Sequence, residues 1–207
     1  MKKLIFVLSL LIGISAISFA QTKQIEKALA KQYKMKMKEY KKEGWKLDGS
    51  SKTLDVALLL HYEKMKSADY KEIPGLVSNC VSKNVCRQAA YNNVIVSYAN
   101  LASSYIKGRI TNDMQIDQSN VNSGEFDKMY AAYERLVAGE IKGEIEESYA
   151  IVRQNGDTKE YQIIFLVNEK NASSKRLRAL ENAFKETSIA QEYAKKISEF
   201  VKEGFSY

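Results

Sequence analysis

The sequence predicts an α+β fold: a small, mostly antiparallel sheet packed by helices, with an added basic helix on the N-terminal side. Three observations carry this expectation. Apolar residues recur at helical spacing over Cys86–Lys107, in the stripe Ala90, Val94, Tyr98, Leu101 and Tyr105. Ile145, Tyr149 and Ile151 are expected to share one face of a strand leading to an Asn155-Gly156 pair, and Tyr161, Ile163, Phe165 and Val167 alternate back, which is the pattern of a hairpin. The remaining apolar segments read as helices set between short strands, not as a regular strand–helix repeat.

Residues 1–20 read as an export leader. Met1-Lys2-Lys3 is basic, Leu4–Ile17 is almost wholly apolar, and Ser18-Phe19-Ala20 supplies small residues before Gln21. About fourteen apolar residues fall short of the roughly twenty that a membrane-spanning helix requires. No cysteine stands at the expected cut, so lipid attachment has no acceptor there, and no transmembrane segment is expected after cleavage. The expected location is the periplasm or the outside of a bacterial cell.

Of the 207 residues, 32 are Lys or Arg and 25 are Asp or Glu, a net charge of +7. The excess is local. Thr22–Glu43 holds eight lysines and three glutamates, which leaves a neutral body once the leader is removed. At 100° per residue, Ile25, Leu29, Tyr33, Met37 and Tyr40 form one stripe of a helix, and seven of the eight lysines lie away from it, Lys36 excepted. Residues 21–44 are therefore expected as a basic amphipathic helix, and residues 45–207 as one α+β domain.

Gly44 ends that helix, Trp45-Lys46-Leu47 suits a short strand, and Asp48-Gly49-Ser50-Ser51 suits a turn. A helix over Lys52–Lys66 is expected from Leu54, Leu58 and His61-Tyr62. Ser67–Lys83 contains the only proline and reads as a connection. Arg109–Gln115 reads as a strand, Ser119–Gly124 as a polar loop, and Glu125–Ala138 as a helix through Met129, Tyr133, Leu136 and Val137. In the second hairpin strand Ile164 and Leu166 are apolar too, so it is expected to be central and covered on both faces. The helical pattern from Ala172 onward changes phase between Leu177, Leu180, Phe184 and Ile189, Tyr193, Ile197, Phe200, Val201, which requires a break near Thr187-Ser188.

Cys80 and Cys86, six apart in a chain bound for an oxidising compartment, are expected to form a local disulfide. Tyr98-Ala99-Asn100-Leu101-Ala102 with Ile106, Leu136–Gly139 before the hairpin, and the run Tyr161–Val167 resemble the small outer-membrane lipoprotein family typified by a twenty-kilodalton antigen. The same order of elements is similar to the N-terminal domain of a periplasmic flagellar assembly protein, over roughly Trp45–Lys185. The lysine-rich start and Gly44–Gly49 also resemble exported proteins of Bacteroides-type bacteria. The resemblance implies a non-catalytic envelope protein.

Catalytic signals are sparse. His61 is the only histidine and is expected as a packed helix residue, so no histidine pair can hold zinc. Ser104-Tyr-Ile-Lys107 matches the serine–lysine spacing of penicillin-recognising enzymes, but the companion motifs are missing. Glu144, Glu146 and Glu147 supply carboxylates of the kind a glycosidase needs in pairs. Asp113, Asp117 and Asn120 offer oxygen ligands without the spacing of a calcium loop. No phosphate cradle or dinucleotide fingerprint is present, and no cofactor or nucleic acid is expected.

The residues expected to act are interaction residues: Lys27, Lys31, Lys34, Lys38 and Trp45, facing an anionic envelope surface or a protein partner. The alternative expectation is an envelope glycan hydrolase using Glu144 and Glu146, or Ser104.

Overall fold

A computed structural model describes residues 23–113, 123–189 and 191–204. The chain runs α1 (23–42), β1 (Lys46–Leu47), α2 (Leu54–Lys64), β2 (Tyr70–Cys80), α3 (Lys83–Asp113) and α4 (Ser123–Glu140). A 3-10 turn at Ile141–Glu144 leads into β3 (Ile145–Asn155), β4 (Thr158–Asn168), α5 (Glu169–Lys185) and α6 (Gln191–Glu203). This is the expected α+β class. The expected leader, Asp117 and Asn120 lie outside the described residues.

The four strands pair antiparallel in the order β1-β3-β4-β2. β4 is interior and all five residues from Ile163 to Val167 are buried, because helices cover both faces. On one face α3, α4, α5 and α6 enclose Ile73, Ile145, Ala150, Ile163, Phe165 and Val167. On the other, α1 and α2 enclose a smaller core of Tyr40, Trp45, Ala57, Leu58, Tyr149, Ile151 and Ile164.

Ile145 and Tyr149 thus lie on opposite faces, although their odd numbering in one strand places them together. The pairing explains this: Glu147 stands opposite Phe165 and Tyr149 opposite Ile164, so Ser148 is the extra residue of a β-bulge. One inserted residue inverts the side-chain alternation beyond it.

Ser67–Lys83 departs from the expected connection. Its residues Tyr70–Cys80 form an edge strand along β4, with Ile73 buried among the large core and Pro74 opposite Ile164. An edge position tolerates proline because one row of backbone groups needs no partner strand. Gly75 serves a packing need here, since a Cβ on it would stand 2.8 Å from the Ala90 carbonyl oxygen of α3.

Arg109–Asp113 is likewise helix, not strand. Ala102, Ile106 and Ile110 are buried at four-residue intervals, so the inward stripe of α3 continues through the segment and outweighs its local alternation.

Several terminators behave as expected. Gly44 adopts φ +75°, and the Trp45 amide donates to the Tyr40 carbonyl, closing α1. Gly156 adopts φ +60° in the hairpin turn, where Asn155 pairs with Thr158. The phase change at the C-terminal end is met by separating α5 from α6 after Lys185. α5 is capped by the Asn168 side chain, which accepts from the Asn171 amide. Cys80 and Cys86 stand at disulfide distance, with Cα atoms 6.0 Å apart, and link the end of β2 to the first turn of α3 against Tyr161.

Two outcomes follow from this packing. Gly75→Ala is expected to destabilise the fold by about 1 to 3 kcal/mol through overpacking against Ala90, while Gly108→Ala, with open space around it, should be neutral or stabilising by up to about 1 kcal/mol. Urea unfolding of both variants checks this, and equal midpoints would contradict the close approach. Replacing Cys80 and Cys86 by serine should lower stability by about 2 to 3 kcal/mol through the lost loop constraint. An unchanged midpoint, or free thiols on mass analysis of the native protein, would contradict the link.

Candidate functional site

The α1/α2 side of the sheet gathers the chemically notable groups. Tyr33, Met37 and Leu47 pack on the smaller core, and the Tyr40 and Tyr149 hydroxyls lie 3.2 Å apart. The Tyr33 hydroxyl donates to Asp55 of α2. This docking turns the α1 lysine flank outward. Lys27, Lys31, Lys34 and Lys38 are all exposed, and none makes an ion pair among the described residues. Lys36, the exception in the pattern, pairs with Glu39 at 3.3 Å and lies over the Tyr40 ring.

Trp45 is placed differently from those lysines. It is buried, with the Arg153 guanidinium 4.5 Å from its ring centre and its Nε1 donating to Glu43. A residue directly after a helix-ending glycine and before a paired strand is drawn into the core by its large apolar area.

α2 carries apolar residues on two sides. Leu58 and Ala57 face the sheet, while Val56, Leu59 and Leu60 are 41, 51 and 48 % exposed. Leu59 and Tyr62 line a groove against Leu29, Ala30 and Tyr33 of α1, about 320 Å³ in volume. On the helical wheel Ala30 lies between the packed stripe and the lysine flank, so apolar and basic surface adjoin there.

On the other side of α2 is a cleft of about 400 Å³ lined by Leu47, Asp48, Lys52, Leu60, Lys64 and Ser148 among others. Behind it His61 is buried at 1 % exposure. Its Nδ1 lies 3.0 Å from Ser148 Oγ, and its Nε2 lies 2.7 Å from Glu72 Oε2 on β2. The carboxylate approaches off the N–H line, which leaves Nε2 without a straight hydrogen bond. Tyr62 and Tyr149 meet the imidazole edge-on, with ring centres 5.0 and 5.3 Å away. Burial, with Glu72 nearby, pushes the Tyr62 phenol up to about 12, and burial pushes Tyr149 above its ordinary range as well.

The other carboxylates and the serine raised by the sequence are dispersed. Glu144 faces Lys175 at 3.6 Å, Glu146 pairs with Lys64, and Glu147 pairs with Arg87 across the sheet from it. Ser104 is exposed on α3, where Lys107 lies over the Tyr130 ring. Asp113 ends α3, and no group of three His, Cys, Asp or Glu side chains among the described residues is placed to hold a metal.

Sequence reasoning found His61 but neither of its partners. Glu72 lay in the segment read as a connection. Ser148 follows Glu146-Glu147, and that run of three polar residues between Ile145 and Tyr149 is the available sign that the alternation breaks.

These features define an α+β protein with a helix-covered antiparallel sheet and a basic helical flank. No family model, curated protein or solved structure matches the chain.

The buried tyrosines give a pH dependence with a definite sign. A phenol whose folded value is raised contributes stability that is complete below its unfolded value and is lost as pH rises through the folded one. Between pH 10 and about 12, the folded chain should therefore show less tyrosinate absorbance than the urea-unfolded chain. Coincident titration curves would contradict the packing around His61.

Proposed function

We propose that this chain is an exported, non-catalytic component of a bacterial envelope that rests on an anionic lipid surface through the lysine flank of α1. The observation that carries the reading is the clustering of exposed, unpaired lysines on one helix flank. In the body, several basic residues meet acids: Lys83 and Arg87 share Asp48, Arg153 bridges Glu43 and Glu160, and Arg135 holds Glu186. Lys27, Lys31, Lys34 and Lys38 have no such partner among the described residues.

Several features support the reading. Exposed Leu59, facing Leu29 and Ala30 across the groove, offers apolar area next to that charge. The leader-like residues 1–20 and a cysteine pair at disulfide distance suit a chain that works outside the cytoplasm. No helix among the described residues is long and apolar enough to cross a membrane, so attachment would be peripheral. The resemblance to small outer-membrane lipoproteins supports an envelope location.

Vesicle sedimentation tests this. At low salt the chain should pellet with phosphatidylcholine vesicles containing phosphatidylglycerol, release as salt is raised, and ignore pure phosphatidylcholine. With about 1 kcal/mol per lysine near such a surface, reversing Lys27, Lys31, Lys34 and Lys38 to glutamate should weaken binding by on the order of 100-fold or more. Equal binding by the reversed variant, or no preference for the anionic lipid, would overturn the proposal.

A further inference from the structure

We infer that the groove between α1 and α2 is a lipid-binding site that takes part of one acyl chain of an anionic lipid, with the headgroup phosphate held by Lys27 and Lys34. The inference rests on the envelope reading for the source of the ligand, a membrane lipid, and adds a defined site to it. Leu29, Ala30 and Tyr33 of α1 and Leu59 and Tyr62 of α2 form the walls, around a volume of about 320 Å³. That volume is at the small end of ligand pockets, which suits a stretch of chain and not a whole lipid. The Tyr33 and Tyr62 rings meet edge-on with centres 6.3 Å apart, and the Tyr33 hydroxyl donates to Asp55, so the spacing of the two helices is fixed. A lone exposed leucine is ordinary on a protein surface. Leu59, 51 % exposed, instead faces a second leucine and an alanine across an open groove.

Charge surrounds this groove in two groups. Lys27 and Lys34 stand three residues before and four residues after Ala30, which makes them its neighbours on the helix surface, with Cβ atoms about 5 to 6 Å away. Both are exposed and make no ion pair among the described residues. The acids at the groove, Glu26 and Glu63, are gathered about Lys66: Glu63 pairs with it at 2.7 Å, and Glu26 lies near the same ammonium. Lys27 and Lys34 are therefore the cations left to meet an anion at the Ala30 rim.

This composition favours a lipid over other occupants. A second copy seated on the groove would bring two lysine flanks together, and like charges oppose that pairing. The centre of a protein interface is depleted of lysine and built on aromatic and arginine anchors. Aliphatic surface bordered by lysines is instead what helices carry at an anionic lipid boundary. The lysines attract the phosphate, and the groove removes methylene groups from water, so affinity depends on charge and on chain length together.

The test uses alkyl phosphates below their micelle concentrations as probes, with methyl nuclear magnetic resonance of the full mature chain. Decyl phosphate should bind saturably, one per chain, and shift the Leu29, Ala30 and Leu59 methyls, whereas inorganic phosphate should leave them unmoved. Shortening the chain by two carbons should weaken binding by about tenfold. Ala30→Trp fills the groove without changing charge and should weaken decyl phosphate by about tenfold or more. Lys27→Gln together with Lys34→Gln should erase the preference for decyl phosphate over uncharged decyl maltoside. All three positions are exposed, and circular dichroism confirms that each variant is folded. No saturable shift at those methyls, equal affinity in Ala30→Trp, or indifference to chain length would overturn the inference. A ligand-free dimer abolished by Ala30→Trp would also overturn it, assigning the groove to a second copy. Wild type that pellets with anionic vesicles but takes up no decyl phosphate removes the groove site alone; wild type that takes up decyl phosphate but ignores vesicles removes the surface reading alone.

Discussion

The inserted residue in β3 is the constraint on which the rest depends. Before Ser148, the strand sends Ile145 toward α3, α4 and α5; after it, Tyr149 and Ile151 point toward α1 and α2. A regular strand from Ile145 would turn Tyr149 into the larger core and leave the α1/α2 side without its central aromatic. Tyr149 is what that side is built around: it meets Tyr40, His61 and Ile164, and through Tyr40 it seats the whole basic helix. The same insertion sets the Ser148 hydroxyl beside His61. Fold closure and the contact between Ser148 and His61 therefore share one backbone irregularity.

Polar groups inside the molecule are organised around the sheet ends in a similar way. Arg176 is buried in α5, but its guanidinium donates to Tyr98 of α3 and, at 2.6 Å, to Glu169, so the charge is compensated where it is desolvated. Asp48, mostly shielded, is met by Lys83 at 3.0 Å and by Arg87, which ties the turn after β1 to the start of α3. Such pairings compensate these charges within the body. The flank of α1 is built on the opposite rule, with like charges spread over several turns and an apolar helix face next to them.

Periodicity made most of the architecture readable from the sequence. The 3.6-residue repeat exposed α1, α2, α3 and α4, the alternation exposed the hairpin, and the phase change located the joint between α5 and α6. What escaped were features decided by tertiary contact. Pro74-Gly75 has the composition of a turn, yet the proline is harmless at a sheet edge and the glycine is required by Ala90. Arg109–Asp113 alternates locally, but Ile106 and Ile110 hold it to the helix stripe. For the site, the exposed lysines were legible because charge and helical spacing are both local. Trp45 was not, since its burial is fixed by Arg153 and Tyr40 arriving from elsewhere. The neighbours of His61 come from residues 11 and 87 positions away and leave no local trace.

Methyl and aromatic nuclear Overhauser effects in the isolated mature protein test the bulge most directly. The Tyr149 ring should show contacts to Tyr40, His61 and Leu58, while the Ile145 methyls show contacts only to the α3–α5 side of the sheet, Val167 among them. Contacts from Ile145 and Tyr149 to one and the same cluster would show an unbroken strand and contradict the account.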